Sequence, residues 1–589
     1  MSVFYPVIKQ KFPAKRSGTA LMILVLSVLV SACSTAPVAK QTPHHSTPRV
    51  SALEKNLPNT ELTPDIFFNV LVGEIAGHRG LLDVAVASLG QAARKSRDPR
   101  LAARASQAAL YAKLYPDAQE NAQLWVTIQP ENLEARETLA TVFLESGQPV
   151  KAQQQLEEVL LLAKKDNNLD QMFLRIAGIL GRHKSRTTGF EIMESLANQY
   201  KHNPHATLAL ANLSVRVGDL DKALVAINHS LELSPSWDEA ALYKGRVLVS
   251  RKEMVKARQF YTDYLDDNPG STKVRLNYAR LLVDSKQWEK ARKEFVRVVK
   301  DAPDDAESIF AVGLLAYQAQ RYDEAQFYLE RHLELRPEND QAKMYLGQIA
   351  GERKDYVTAT RWYEAISSPN YYFEAQTRLG IAMWRMGNLQ AARDHLQSIK
   401  TTTEKQKVQL VLAEEQILRE AKKYQEALKF LNIAIVELPE QTDVRYARAL
   451  IAEKLNMVDL SISDLRAILE KEPDNAHALN ALGYTLADRT DKLDEAKKLI
   501  TQALKQKPND PFVLDSMGWV HYRMGHYDEA IKYLRLALSM RSDAEISAHL
   551  GEVLWVSGDR STARVVWRHA LESTPDNESL LSIIKKYSD

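Results

Sequence analysis

Of the residue types that carry chemistry, cysteine is the scarcest: 589 residues hold only Cys33, directly after the apolar run "LMILVLSVLVSA". One cysteine cannot close an intramolecular disulfide, and it excludes CxxC zinc ribbons and CxxC redox pairs. What it offers is one thiol for covalent modification. His44 and His45 are adjacent but have no carboxylate or thiolate partners near them, which makes them solvated linker residues. "HLGE" places His549 and Glu552 three apart on one helix face, a spacing that some metal sites use, again without further ligands in register. There is no GxSxG, no P-loop, no HExxH and no GxGxxG opening a helix. The many carboxylates do not pair off. No residue is expected to be catalytic, and no cofactor or metal is expected.

The elements around the cysteine give it a role. Residues 1–32 combine Lys9, Lys11, Lys15 and Arg16 with an apolar stretch from about Thr19 to Val30 and small residues before Cys33. These are the parts of an export signal, and the apolar stretch is too short for a comfortable membrane span. "VSAC", Val30 to Cys33, resembles the bacterial lipobox, in which the cysteine is acylated and becomes the new N-terminus. In such lipoproteins an Asp after the cysteine favours the inner membrane. Ser34 stands there, so the resemblance implies the periplasmic face of the outer membrane. Residues 33–60, with Pro37, Pro43, Pro48 and Pro58 and no apolar periodicity, read as a tether spanning roughly 30 Å.

Length and charge narrow the rest. A chain of 589 residues exceeds one compact core, so it is either several domains or a repeat array. Formal net charge is +2; without the four basic residues of the leader, 73 basic residues face 75 acidic ones. That balance gives no reason to expect a nucleic-acid partner.

From about Leu62 the chain repeats every 34 residues. Prolines fall at Pro235, Pro269, Pro303 and Pro337, then at Pro439, Pro473 and Pro508. Twelve residues before most of them is a small residue: Ala223, Ala257, Ala291, Ala325, Ala359, Ala392, Ala427, Ser461, Ala496, Ala530 and Ala563. Twelve before many of those comes Gly245, Gly313, Gly347, Gly518 or Gly551. Small residues at fixed offsets in such a period mean stacked helical hairpins. In the unit from Asp304 to Pro337, Asp304 is expected to cap the first helix with Glu307 as its reciprocal partner. Gly and Ala stand where two helices approach closely, and the proline stops the second helix.

On these residues the chain resembles the tetratricopeptide repeat (TPR) proteins. The resemblance implies an all-α TPR α-solenoid, a right-handed superhelix of about fifteen hairpins. The expected organisation is 1–32 signal peptide, 33–60 lipidated cysteine and tether, 61–203 irregular hairpins, and 204–589 regular array. Between Ala152 and Ala223 the period slips, which marks a candidate bend or boundary.

In TPR arrays the first helix of each hairpin lines the concave face with its positions 2, 5, 9 and 12–13. Registering on Gly518 puts Phe512, Asp515, Trp519, Tyr522 and Arg523 there, and registering on Gly551 adds Ala548, Glu552 and Trp555. Aromatic rings with an arginine are typical interface anchors, although rings here also pad the contacts between repeats. Asn212, Arg216, Arg246 and Arg280 form a more basic groove segment suited to acidic or carboxylate-ended peptides. The lysine and asparagine clamp of TPR chaperone adaptors is not reproduced, since Leu242 and Arg246 occupy two of its positions.

"NALGYTLADRTDKLDEAKKLI" and "DSMGWVHYRMGHYDEAIKYLRLAL" look like the C-terminal region of proteobacterial TPR lipoproteins, and "LTPDIFFNVLVGEIAGHRG" is similar to their start. One type in that group is a non-enzymatic adaptor. It binds a periplasmic carboxyl-terminal processing protease and presents envelope substrates to it. The expected partners are therefore proteins, the protease and its substrates, with the membrane reached through the lipid. An alternative within the same architecture is an assembly factor for outer-membrane proteins, polysaccharide export or pili.

Overall fold

The computed structural model describes residues 60–587, so the export signal, Cys33, His44, His45 and most of the tether lie outside the described residues. Among the described residues there are 31 helices and no strand, in sequence order fifteen pairs and a lone final helix, Glu578–Lys586. The fold is an all-α TPR solenoid. The described chain divides into two compact units, residues 60–319 and 320–587.

The repeat period has a direct structural cause. Each alanine of the second-helix series is 0–1% exposed, as is Ser461, so nothing larger fits at that contact. The glycine twelve residues earlier meets the side chain four residues beyond the alanine. A Cβ on Gly347 would lie 2.5 Å from Tyr363 Cε1, and one on Gly518 would lie 2.6 Å from Leu534 Cγ. Gly245 stands in the same way against Tyr261, and Gly551 against Trp567. The prolines come just after the second helices, which end at Leu233, Asp267, Asp301 and Leu335.

The turn inside the hairpins has its own rule. Lys252, Lys286, Gln320 and Lys354 recur every 34 residues with φ between 58° and 63°. Gly218, Gly387, Gly525 and Gly558 take the same left-handed turn at the corresponding position of other hairpins. A side chain there carries a cost of about 1–2 kcal/mol that glycine does not.

One expected cap is corrected. Asp305, not Asp304, precedes the helix Ala306–Gln318, and it makes no side-chain bond to the helix amides. Its carboxylate accepts from Ser308 Oγ at 2.5 Å instead.

In the first unit, one hydrophobic cluster runs from Val86 to Leu213 without a break, through the stretch where the period slips. One hairpin, Leu169–Arg182 and Arg186–Gln199, fills that stretch, with Phe173, Met172, Ile176 and Leu196 fully buried. Two smaller clusters continue to Leu281. The second unit is a succession of clusters from Met344 to Leu580, with Ala392, Leu396, Ala413 and Ile417 linking the first to the rest, as expected where repeats contact mainly their neighbours. Some contacts among the described residues reach farther. Lys422 Nζ lies 2.6 Å from Glu578 Oε1, so the run from Glu404 to Lys586 turns back on itself.

Candidate functional site: the groove of the second unit

The first helices Thr442–Lys454, Ala476–Arg489, Pro511–Arg523 and Ala544–Ser557 stand side by side and present their groove positions to one another. Because the stack curves tightly, those positions face protein as much as solvent. Asp515 is 0% exposed, and its Oδ1 pairs with His549 Nδ1 at 3.2 Å. Burial raises its carboxyl above the usual carboxylate range, and His549 opposes the rise. Trp519 stacks on His549 with ring centroids 3.9 Å apart. Its indole Nε1 donates to Asp488 Oδ1 at 3.1 Å, and Arg523 donates to the Asp488 carbonyl at 2.6 Å. Glu552 accepts from Lys586 Nζ at 2.8 Å and from the Tyr587 hydroxyl at 2.9 Å.

Four expected groove residues are thereby placed in bonds between helices. Asp515, Trp519, Arg523 and Glu552 strap consecutive first helices together, because a tight stack brings each within reach of the next. Ala548 is buried as well. Phe512, Tyr522 and Trp555 stay half-buried. Phe512 carries the Arg541 guanidinium 5.2 Å from its ring, and Trp555 carries those of Arg560 and Arg564 at 5.2 and 5.3 Å. His549 and Glu552 turn to different partners, and no cluster of three metal-ligating side chains occurs among the described residues.

Two recesses lie among these repeats. One, of about 390 Å³, is polar and is lined by Arg419, Tyr424, Lys454, Asp543, Glu545 and Asn577 among others. The other is a narrow cleft between three first helices, lined by Tyr446, Leu450, Glu453, Asn480, Ala481, Tyr484, Phe512 and Ser516. Glu453 is 6% exposed, and its Oε1 has no hydrogen-bond partner; nor has Asn480 Oδ1. An orphaned buried acceptor costs about 1–3 kcal/mol. Burial raises the Glu453 carboxyl to about 8, with Lys454 and Arg489 opposing the rise and Asp488 and Glu545 adding to it. Glu545 is raised to about 8 for the same reason, opposed chiefly by Lys454. Burial in turn lowers Lys454.

Of this cleft, the register on Gly518 and Gly551 names only Phe512. Applied to Gly483, it puts Asn480 at position 5 and Tyr484 at position 9. One unit earlier Ala449 replaces the glycine and gives Tyr446, Leu450 and Glu453. The signal was the spacing; the obscuring feature was the alanine.

In the first unit Arg216 and Arg246 are exposed, and both act on the hydroxyl of Tyr243, whose burial otherwise raises it. Arg216 Nε donates to Asn212 Oδ1 at 3.2 Å, and its Nη1 donates to the Gly181 carbonyl at 2.9 Å. Arg280 is half-buried. The basic row is therefore present at Arg216 and Arg246, partly tied to its own backbone.

A second surface was not legible in the repeat pattern. The helix Pro64–His78 buries Ile66, Asn69, Gly73 and Ala76 and leaves Phe67, Phe68, Leu71 and Ile75 outside, with Phe68 61% exposed. Leu81 and Val84 extend the patch. Terminal helices of a solenoid ordinarily present a polar outer face. No helix among the described residues is long and apolar enough to cross a membrane.

Residues 208–272, 248–310, 313–372, 374–398, 446–511 and 513–543 each match a tetratricopeptide repeat model. With the repeat geometry above, the chain belongs to the tetratricopeptide repeat family, whose members act as protein–protein interaction scaffolds. It is 38% identical over 539 residues to the TPR repeat-containing protein PA4667 of Pseudomonas aeruginosa, an alignment covering 90% of each chain. A stretch of 103 residues is 31% identical to bacteriophage adsorption protein A of Escherichia coli, covering 18% of this chain and 10% of that one. Among solved structures, yeast Tom70 aligns at 14% identity with a TM-score of 0.32, over 89% of this chain and 99% of that one.

Proposed function

We infer that the protein is a non-enzymatic, lipid-anchored scaffold on the periplasmic face of the outer membrane. It recruits a carboxyl-terminal processing protease and that protease's envelope substrates. The observation that carries the scaffold reading is the apolar face of Phe67, Phe68, Leu71 and Ile75, exposed on the first helix of the described residues. The groove of the second unit provides a separate surface, so two proteins can be held at once and their effective concentration raised. The lipobox-like "VSAC" at Val30–Cys33 supports the anchor, and Ser34 supports the outer membrane.

The test is direct binding to a purified processing protease of the same envelope. Asp in place of both Phe67 and Phe68 is expected to weaken binding at least tenfold, with helicity unchanged by circular dichroism. Equal binding by the double variant would contradict the role of this face. Absence of labelled palmitate from the chain, or its incorporation into a Cys33→Ser variant, would contradict the anchor.

A further inference from the structure

In the second unit the last turn of one first helix meets the middle of the next, and Asp488 there accepts from Trp519. The same two register positions of the first unit hold Arg216, in the helix Pro204–Val217, and Arg246, in the helix Asp238–Ser250. Neither guanidinium can accept a hydrogen bond, so this pair is like-charged where its counterpart is complementary. Arg216 is nevertheless held in place. Its Nη1 donates to the Gly181 carbonyl, as Arg523 donates to that of Asp488, and its Nε donates to Asn212. Its other N–H donors stay unused. Tyr243 joins the two arginines: the Arg246 guanidinium lies 5.0 Å from its ring, and both guanidiniums act on its hydroxyl, whereas no carboxylate does. That hydroxyl has no hydrogen-bond partner among the described residues.

More positive charge stands beside this pair. Arg182 follows Gly181 and is exposed, and Arg186 Nη1 donates to the Arg216 carbonyl at 3.2 Å. None of these four arginines is ion-paired with a carboxylate among the described residues. Arg175, Arg251 and Arg275 of the same unit each are. The charge left over is therefore local, exposed and built on three successive first helices, which is the complement of a run of anions. A guanidinium fork matches a carboxylate with two parallel hydrogen bonds, and the Tyr243 hydroxyl supplies one more donor. We propose that Arg216, Arg246 and Tyr243 bind the side-chain carboxylates of an acidic segment within a partner protein. Two forks on successive helices read two side chains of one segment, and Arg182 and Arg186 draw the segment in over a longer range. The inference rests on the scaffold reading only in that the segment belongs to another protein.

The experiment titrates the full chain at low salt with a dye-labelled ten-residue Gly/Ser peptide, amidated at its C-terminus and bearing four central glutamates. Two matched peptides carry glutamine instead, one amidated and one ending in a free carboxylate. The glutamate peptide is expected to bind roughly tenfold or more tightly than either. Arg246→Gln, checked by circular dichroism, is expected to weaken it about fivefold. The double variant Lys164→Gln, Lys165→Gln removes more charge from an exposed part of another helix and is expected to change it less than twofold. Arg216→Gln is expected to act like Arg246→Gln and decides the matter should the latter disturb the fold. Unaltered binding by both arginine variants, or an equal loss in the lysine variant, would overturn the proposal. Equal binding of the carboxylate-ended glutamine peptide would overturn an internal segment. Inorganic phosphate that displaces the glutamate peptide at the peptide's own concentration would reduce the site to one for any anion and overturn it too. Asp at Phe67 and Phe68 leaves glutamate-peptide binding unchanged, so a failure of the scaffold reading is seen separately.

Discussion

Lys422 Nζ and Glu578 Oε1 meet at 2.6 Å although 156 residues separate them. Both side chains are largely exposed, and pairing raises the lysine and lowers the glutamate. An exposed pair does not hold such a turn together. The curvature of the stacked hairpins does, and the pair reports it.

That closure is testable by crosslinking. With Cys33→Ser to remove the native thiol, cysteines at Lys422 and Glu578 are expected to be bridged within one chain by a short bismaleimide. A gel shift measures it. A chain whose hairpins from Glu404 onward stay open gives no intramolecular product.

Close packing at the repeat glycines sets a second expectation. Gly347→Ala must displace the buried Tyr363 and is expected to cost about 1–3 kcal/mol in urea unfolding. Gly178, in the helix Leu169–Arg182, has nothing within 4 Å of its would-be Cβ. Gly178→Ala is therefore expected to stabilise by about 0.5–1 kcal/mol. Lys286→Gly relieves a left-handed residue at φ 58° and is expected to stabilise by about 1 kcal/mol. Equal effects from both alanine substitutions would refute the role assigned to the small positions.

Stability should also depend on pH through Glu453 and Glu545. Both titrate near 8 in the folded chain against 4.5 without the protein environment, with burial the main cause. Between those values the folded state keeps a proton that the unfolded state has lost. Stability from these groups is thus full below about 4.5 and falls as pH rises through about 8, by at most about 1.4 kcal/mol per pH unit for each group. Urea unfolding at pH 5.5 and 7.5 measures it, and Glu453→Gln should reduce the difference by about half, leaving the share of Glu545. An unchanged slope would mean that Glu453 is not buried as an acid.

The repeat was legible because its causes are local. Ala223 through Ala563 and the helix-ending prolines each answer to one helix–helix contact, so spacing alone exposes them. The left-handed turns at Lys252, Lys286 and Lys354 were not legible, since lysine gives no sign of positive φ where glycine at 387 and 525 does. The groove was legible in position and not in use. The register expects Asp515, Trp519 and Glu552 on the groove side, and only the folded stack shows them bonded to His549, Asp488 and Lys586. The patch at Phe67 and Phe68 escaped because exposure at the end of an array depends on what fails to pack there.

The most direct measurement of bridging is the rate of substrate degradation by a purified processing protease as this chain is added over a wide concentration range. A scaffold that holds protease and substrate on separate surfaces gives a rate that rises and then falls, once excess copies carry the two proteins apart. Asp at Phe67 and Phe68 should abolish the rise. A rate that climbs to a plateau, or never rises, would contradict bridging.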